Sequence, residues 1–252
     1  MKKLYFSLLM TISAAFLLVA QKQVTVEDGG VSQALESIFI PPVVDAPFTC
    51  VLHTEWSRMM PGGGTITTVN QRRIARQASG RFYQERWVLV PKNGPVQSQM
   101  SHIQIADPVN HTLTTCIMWQ KACQITTYGG KTSTIYRPDN QPSGPLPSGH
   151  GTLTNEPLGR DVIQRVETEG SRLTQNIGAW AVGNDQPFAI TREFWFSPSL
   201  GINLVSKVSD PRFGSQSFVV SDLVLGEPDE ELFETPKGFT VKDERTPGLS
   251  QQ

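Results

Sequence analysis

Apolar and polar residues alternate with a period of two from Phe188 onward, and only an extended strand sends such residues to opposite faces. The face predicted to be buried carries Phe188, Ile190, Phe194 and Phe196, and the opposite face carries Thr191, Glu193 and Trp195. Proline- and glycine-containing turns at 197–199 and 210–214 lead into two more predicted strands, through 202–205 and over 218–225. This pattern predicts an antiparallel meander that ends in a short helical turn near 230–233.

The chain before this meander is also predicted to form short strands, from Pro47 onward. Six further strands are predicted, over 48–56, 66–78, 81–90, 102–106, 112–118 and 124–128. A hairpin is predicted from 162–168 and 171–177, with its turn at Glu169-Gly170. Many short strands separated by turn residues predict a mainly β (α+β) fold, which is a sandwich, a barrel or a strongly curved sheet.

Three other segments complete the predicted organisation. Residues 31–40 place apolar side chains at helical spacing before Pro41-Pro42 and predict one helix packed on the sheet. Residues 137–151 (RPDNQPSGPLPSGHG) have little to bury and predict a flexible loop or linker. We favour a single domain over 31–241 with a loop insertion, because two separate meanders would leave more open sheet edges. A disordered lead-in at 21–30 and a polar tail at 242–252 flank it.

The N-terminus has the composition of an export signal. Lys2 and Lys3 precede an apolar run over 4–19, and cleavage is predicted after Ala20. The alternative is an uncleaved membrane anchor, because about 17 residues are the lower limit for a span. No second apolar run of that length follows, so the mature protein is expected in the periplasm or outside the cell.

Export changes the interpretation of the three cysteines. Cys116 and Cys123 flank a predicted hairpin tip at 117–122, where cross-strand neighbours can form a disulfide in an oxidising compartment. Cys50, on an early strand, is then a buried thiol, although its pairing with either partner stays open. Metal binding is the weaker alternative, because the chain has no Cys-x-x-Cys motif.

Charge and motifs argue against several classes of function. A net charge of −1 gives no electrostatic basis for binding nucleic acid. Residues 129–132 (GGKT) end like a phosphate-binding loop but lack its first glycine and its helix, so they predict a turn. His53-Thr54-Glu55 lacks the cysteine motif of zinc deaminases. No catalytic residue, metal site or cofactor is predicted.

The apolar faces of the strands are the one feature with functional potential. A curved sheet can pack a helix against its inner face or hold a lipid-like ligand there. The candidate ligand-binding residues are Phe82, Trp87, Phe188, Phe194 and Phe196. Ordinary core packing is the alternative for each of them.

The C-terminal half adds a resemblance. The segments EFWFSPSLGINLVSKVSDPRFG and EPDEELFETPKGF resemble a group of exported bacterial proteins abundant in Acidobacteria. These are distantly similar to the lipoprotein-localisation superfamily of LolA, LolB and RseB. The resemblance extends over roughly 47–241 in strand pattern, with specific motifs only from about 158 onward. It implies an unclosed half-barrel sheet that binds acyl chains or lipidated protein termini in its concavity, and no functional residue is transferred.

Three hypotheses follow. The first is an exported, non-enzymatic half-barrel that binds a hydrophobic ligand, such as a lipid or acyl chain, or an envelope protein. The second is an interaction module with a filled core and no ligand. The third is an exported hydrolase, which would need histidine, aspartate or serine residues clustered in a cleft.

Overall fold

A computed structural model describes residues 38–129, 141–147 and 149–245 of the chain. Fourteen strands lie in these residues and form one mainly antiparallel sheet. They are β1 (Phe48–Met59), β2 (Thr65–Arg76), β3 (Phe82–Trp87), β4 (Val90–Pro91), β5 (Met100–Asp107), β6 (Thr112–Ile117), β7 (Ala122–Thr127), β8 (Gly144–Pro145), β9 (Gly151–Ile163), β10 (Val166–Ile177), β11 (Phe188–Ser197), β12 (Ile202–Asp210), β13 (Gly214–Leu225) and β14 (Thr240–Asp243).

The strand order is β14-β7-β6-β5-β3-β2-β1-β13-β12-β11-β10-β9-β8, with β4 paired to β2 off this path. Most neighbours in the sheet are also neighbours in sequence, as in a meander, and the pairing of β1 with β13 joins the two halves. β14 pairs with β7 in parallel, and the other pairs are antiparallel. The predicted mainly β, curved and unclosed antiparallel sheet is confirmed.

The sheet curls toward the face that carries Phe82. The rings of Phe82 on β3 and Tyr128, just after β7, have their centroids 6.2 Å apart. Three strand spacings separate these two positions, which is about 14 Å in a flat sheet. The two side chains therefore meet because the sheet bends toward this face. We call this the inner face. Its apolar cluster consists of Ile38, Ile40, Phe48, Cys50, Leu52, Ile74, Phe82, Ala106, Val166, Leu200, Ile202, Leu204, Phe218 and Val220.

A second cluster covers part of the opposite, outer face. Successive residues of a strand point to opposite faces, and Ala75 and Tyr83, which follow the inner-face residues Ile74 and Phe82, belong to this cluster. The C-terminal segment packs on it through Phe233, whose ring lies 6.3 Å from that of Tyr83.

Helical structure in the described residues is confined to short 3-10 turns. The predicted C-terminal helical turn is present as Glu230–Phe233, and the Asp229 side chain accepts a hydrogen bond from the Glu231 backbone N–H. Most of the helix predicted over 31–40 lies outside the described residues. Its last three residues, Ile38 to Ile40, are not helical. For Ile40 this fits the restriction that Pro41 places on the residue before it.

One predicted turn is wrong. The hairpin of β9 and β10 turns at Gln164 and Arg165, which have φ values of 51° and 65°, and not at Glu169-Gly170. Glycine, asparagine and aspartate usually fill such left-handed positions, so this turn has no ordinary sequence signal. Gly170 instead lies inside β10, where the indole of Trp195 on β11 occupies the space that a side chain would need, with Trp195 Cζ3 only 2.8 Å from the position of a Cβ.

The structure contains the disulfide between Cys116 and Cys123. These residues are a register pair of the β6–β7 hairpin. The 3-10 turn Met118–Gln120 forms the tip, and Lys121 follows in the left-handed conformation. Cys50 is a free, buried thiol in the inner-face cluster, and burial raises its pKa to about 12.

We expect thiol labelling to separate these three cysteines. In the native protein at pH 8 no thiol should react with iodoacetamide, because Cys50 is buried and protonated and only thiolates react readily. One alkyl group should add in denaturant, and three after reduction in denaturant, as counted by intact mass. Three reactive thiols in unreduced, exported material would contradict the disulfide.

Candidate functional site

A cavity of about 540 Å³ opens where β9, β10 and β11 meet the segment 141–143. It is lined by Gln141, Pro142, Ser143, Asn155, Pro157, Gly159, Arg160, Glu169, Gly170, Ser171 and Phe196. Most of the surface inside belongs to carbon atoms. The volume lies in the range of roughly 300–1,000 Å³ that is usual for ligand pockets.

Asn155 holds one wall of this cavity in place. Its backbone N–H donates to Ser143 Oγ at 2.8 Å, and its side-chain Nδ2 donates to the Gln141 carbonyl at 2.9 Å. Next to these contacts, Gly144 and Pro145 of β8 pair with β9. The segment 141–145 is therefore fixed along the edge of the sheet.

A β-bulge shapes the floor of the same cavity. The register of β9 against β10 shifts between the pairs Gly170–Gly159 and Ser171–Pro157, which leaves Leu158 as the extra residue. Such a bulge bends its strand and increases the local twist. At the rim, Arg160 and Glu169 form an ion pair at 3.6 Å. Because Arg160 is exposed and Glu169 is only partly buried, this pair contributes little to stability.

A second, smaller pocket of about 140 Å³ lies at the middle of the sheet. It is lined by Thr54, Asn70, Arg72, Arg86, Trp87, Leu89 and Phe218. Burial, and secondly the positive charge of Arg86, lower the pKa of Arg72 to about 10, so Arg72 remains cationic at neutral pH. The small pocket is therefore basic.

A single row of register pairs joins the two pockets across the inner face. Its members are Pro157, Ser171, Phe194, Ser206, Phe218, Thr54 and Asn70, on β9, β10, β11, β12, β13, β1 and β2. Residues paired in register share a face. Ser171 lines the larger cavity and Phe218 the smaller one, and the three strand spacings between them span about 14 Å.

The structure brings the predicted ligand-binding residues to different places on the sheet. Phe196 lines the larger cavity and Trp87 the smaller pocket, and Phe194 is a member of the row between them. Phe82 is part of the packed cluster, and Phe188 lies under the guanidinium of Arg212 at 5.2 Å. None of these placements tests a binding role.

Sequence reasoning missed most of the residues that line the two pockets. Ser171, Pro157 and Asn155 are polar or small and carry no signal for a binding site until the strands are paired. Arg72 and Arg86 offered a usable signal. Arg72 has the same inward parity as Ile74 on β2, and Arg86 has the same inward parity as Phe82 on β3. Within the described ranges, no three histidine, cysteine or carboxylate residues lie close enough together to hold a metal ion. Nor does that part of the chain contain a helix long and apolar enough to cross a bilayer.

Comparisons with known proteins give distant matches only. No protein-family model matches the chain, and no curated protein does. The similarity to an acidobacterial protein group is therefore without support.

Among solved structures, the chain is similar to the MucA/MucB complex of Pseudomonas aeruginosa, at 11% identity over 76% of this chain and 56% of that one, with a TM-score of 0.36. It is also similar to LprF from Mycobacterium bovis, at 14% identity over 77% and 90% of the two chains, with a TM-score of 0.30. A putative outer membrane lipoprotein-sorting protein domain from Vibrio parahaemolyticus matches at 7% identity over 73% and 88%, with a TM-score of 0.17. The chain spans little more than half of the first of these. All three TM-scores are below 0.5, so none of these likenesses assigns a function to this chain.

Proposed function

We propose that this chain is an exported, non-enzymatic protein that holds a lipid-like ligand on the inner face of its half-barrel. The observation that carries the proposal is the cavity of about 540 Å³ between β9, β10, β11 and the segment 141–143. The packed cluster of the inner face leaves this space open, and carbon atoms supply most of its surface. An apolar chain is the ligand that gains most from such a surface, because its burial is favourable by about 25 cal/mol per Å².

Two features support export. The composition of residues 1–20 is that of a signal segment, which lies outside the described residues. The Cys116–Cys123 disulfide suits an oxidising compartment such as the periplasm.

The first experiment is native mass spectrometry of protein purified from the periplasm, followed by solvent extraction of bound material. We expect a discrete adduct of lipid mass that is lost on unfolding. A clean unliganded mass, repeated after incubation with membrane lipids, would overturn the proposal and favour an interaction module that binds an envelope protein.

A cavity-filling variant locates the ligand. Ser171→Trp places an indole in the wall of the larger cavity, and we expect the retained lipid to fall at least about ten-fold, because the lost apolar contact exceeds about 1.4 kcal/mol. Thr154→Trp is the matched control, because Thr154 is exposed on β9, next to Asn155 but on the other face. It should retain lipid as the wild type does.

Stability is measured on the same samples by thermal unfolding. If Ser171→Trp does not fold, Ser143→Trp blocks the same cavity from the exposed edge segment. Lipid retention equal to that of the wild type in a folded blocking variant would show that the ligand lies elsewhere.

A further inference from the structure

Two arginines line the small pocket at the middle of the sheet. The register pairs of β2 and β3 end at Ile74–Gln84, and Arg72 and Arg86 each lie two residues beyond that pair on their own strand. Two positive charges that share one pocket repel each other, and a bound anion would relieve this repulsion.

The acidic residue nearest in sequence does not neutralise the pair. Glu85 lies between Gln84 and Arg86, and its carboxylate is held by other donors. Its Oε1 accepts a hydrogen bond from the Tyr83 hydroxyl at 2.9 Å, and its Oε2 accepts from Trp87 Nε1 at 2.8 Å and the Arg73 backbone N–H at 2.9 Å. No aspartate or glutamate lines the small pocket.

The protein contacts of the two guanidinium groups include neutral acceptors. Arg72 Nη1 lies 3.4 Å from both Gln84 Oε1 and the Glu85 carbonyl oxygen, and Arg86 Nε donates to Gln104 Oε1 at 3.2 Å. The Arg72 distances are long for hydrogen bonds, and an arginine binds phosphate through paired hydrogen bonds that a single amide or carbonyl oxygen does not provide. An anion in the pocket would therefore compete well for these donors. Arg86 is solvent-exposed, so the pocket can be reached from outside.

A third group in the small pocket, the side chain of Asn70, favours a ligand that donates a hydrogen bond. Asn70 Nδ2 donates to the Trp87 carbonyl oxygen at 2.7 Å, which fixes the orientation of the amide. Its Oδ1 is buried and accepts no hydrogen bond from any described residue. An unsatisfied buried acceptor is costly, and a ligand hydroxyl would satisfy it.

We propose that the small pocket binds the anionic, hydroxyl-bearing head group of an amphiphile, with phosphoglycerol chemistry as the best match. The inference deepens the proposed function, on which it rests, by naming the polar end of the ligand. The chain of the amphiphile leaves the pocket at Phe218, passes Phe194 and reaches the larger cavity at Ser171. The head group binds in the arginine pocket, and the row of register pairs gives the direction of the chain.

The test compares three soluble amphiphiles that share one lauroyl chain. They are lauroyl lysophosphatidylglycerol, which is anionic with free hydroxyls, lauroyl lysophosphatidylcholine, which is zwitterionic, and monolaurin, which is neutral. Affinities are measured by calorimetry on delipidated, full-length mature protein below the critical micelle concentration. Glycerol 3-phosphate without a chain distinguishes a lipid head group from a free anion.

Arg86→Gln is the decisive variant, and Arg73→Gln is its matched control. Arg73 is an exposed arginine next to Arg72 on β2, on the opposite face. We expect the wild type to prefer the phosphatidylglycerol probe over monolaurin by about ten-fold or more, and Arg86→Gln to lose most of that preference, since a charge-assisted contact is worth about this much. Arg73→Gln should keep it, and rising salt should weaken the binding of the anionic probe alone.

Each result has one interpretation. Equal affinity for the anionic probe and monolaurin, unchanged in Arg86→Gln, would overturn this inference and leave the proposed function standing. Binding of none of the three amphiphiles would overturn both. Glycerol 3-phosphate binding as tightly as the lauroyl probe would overturn the assignment to a lipid head group. If Arg86→Gln fails to fold, Asn70→Leu tests the same pocket, and the preference for hydroxylated over hydroxyl-free anionic probes such as dodecyl sulfate should disappear.

Discussion

Replacing Arg76 by methionine is expected to lower the free energy of unfolding by about 3–5 kcal/mol. Arg76 is completely buried on the inner face. Its guanidinium donates to three backbone carbonyl groups, those of Pro41 at 3.0 Å, Ala46 at 2.8 and 3.0 Å, and Leu200 at 2.6 Å. Methionine keeps much of the apolar contact but leaves these acceptors buried without a donor.

Arg76 connects parts of the chain that are distant in sequence. Pro41 and Ala46 lie in the segment before β1, and Leu200 lies in the turn between β11 and β12. The guanidinium also lies over the ring of Phe48 at 4.9 Å. Burial lowers the pKa of Arg76 to about 10, which keeps it cationic at neutral pH and makes every one of these hydrogen bonds charge-assisted.

The measurement is equilibrium urea unfolding of both proteins, with Arg73→Met as the control. Arg73 is exposed on the same strand, three residues away, and its replacement should change the free energy of unfolding by less than about 0.5 kcal/mol. A loss below about 1 kcal/mol in the free energy of unfolding of Arg76→Met would mean that water replaces the guanidinium. Arg76 would then not hold the segment before β1 against the sheet.

The strands of this fold could be predicted because each face has its own composition. In β11, Ile190, Phe194 and Phe196 are buried as the alternation indicated, and Thr191 and Glu193 are less so. The unclosed, curved sheet followed from the resemblance and not from the pattern, because alternation does not distinguish a half-barrel from a sandwich.

The two pockets could not be predicted, because they depend on register between strands that are far apart in sequence. The pairing of β1 with β13 places Thr54 beside Phe218, and each of the next strands adds one member to the row. The bulge at Leu158 fixes which residues of β9 line the larger cavity, yet it has no sequence signal of its own. The sequence prediction rests on aromatic character, whereas the walls of the two pockets also use serine, asparagine and arginine.

Gly214→Ala is the second substitution with a large expected effect, a loss of about 3 kcal/mol in the free energy of unfolding. Gly214 opens β13 with φ +92°, a conformation that non-glycine residues rarely adopt. A Cβ there would lie well inside contact distance of the Ser57 carbonyl oxygen on β1 and 2.9 Å from Arg58 Cγ. Backbone strain and a clash with a neighbouring backbone therefore act together.

The turn before Gly214 cannot easily move to relieve this clash. Trp56 Nε1 donates to the Phe213 carbonyl oxygen at 2.9 Å, and the Asp210 carboxylate accepts from the Arg212 backbone N–H and side chain. These hydrogen bonds hold the turn against β1, so the added methyl group must displace β1 or β13, the strands that join the two halves of the sheet. Gly129→Ala is the control, since a Cβ at Gly129 meets no atom within 4 Å. Equal thermal stability of the two variants would show that the β12–β13 turn shifts freely, and that the union of the two halves does not depend on the close approach of Gly214 to Ser57.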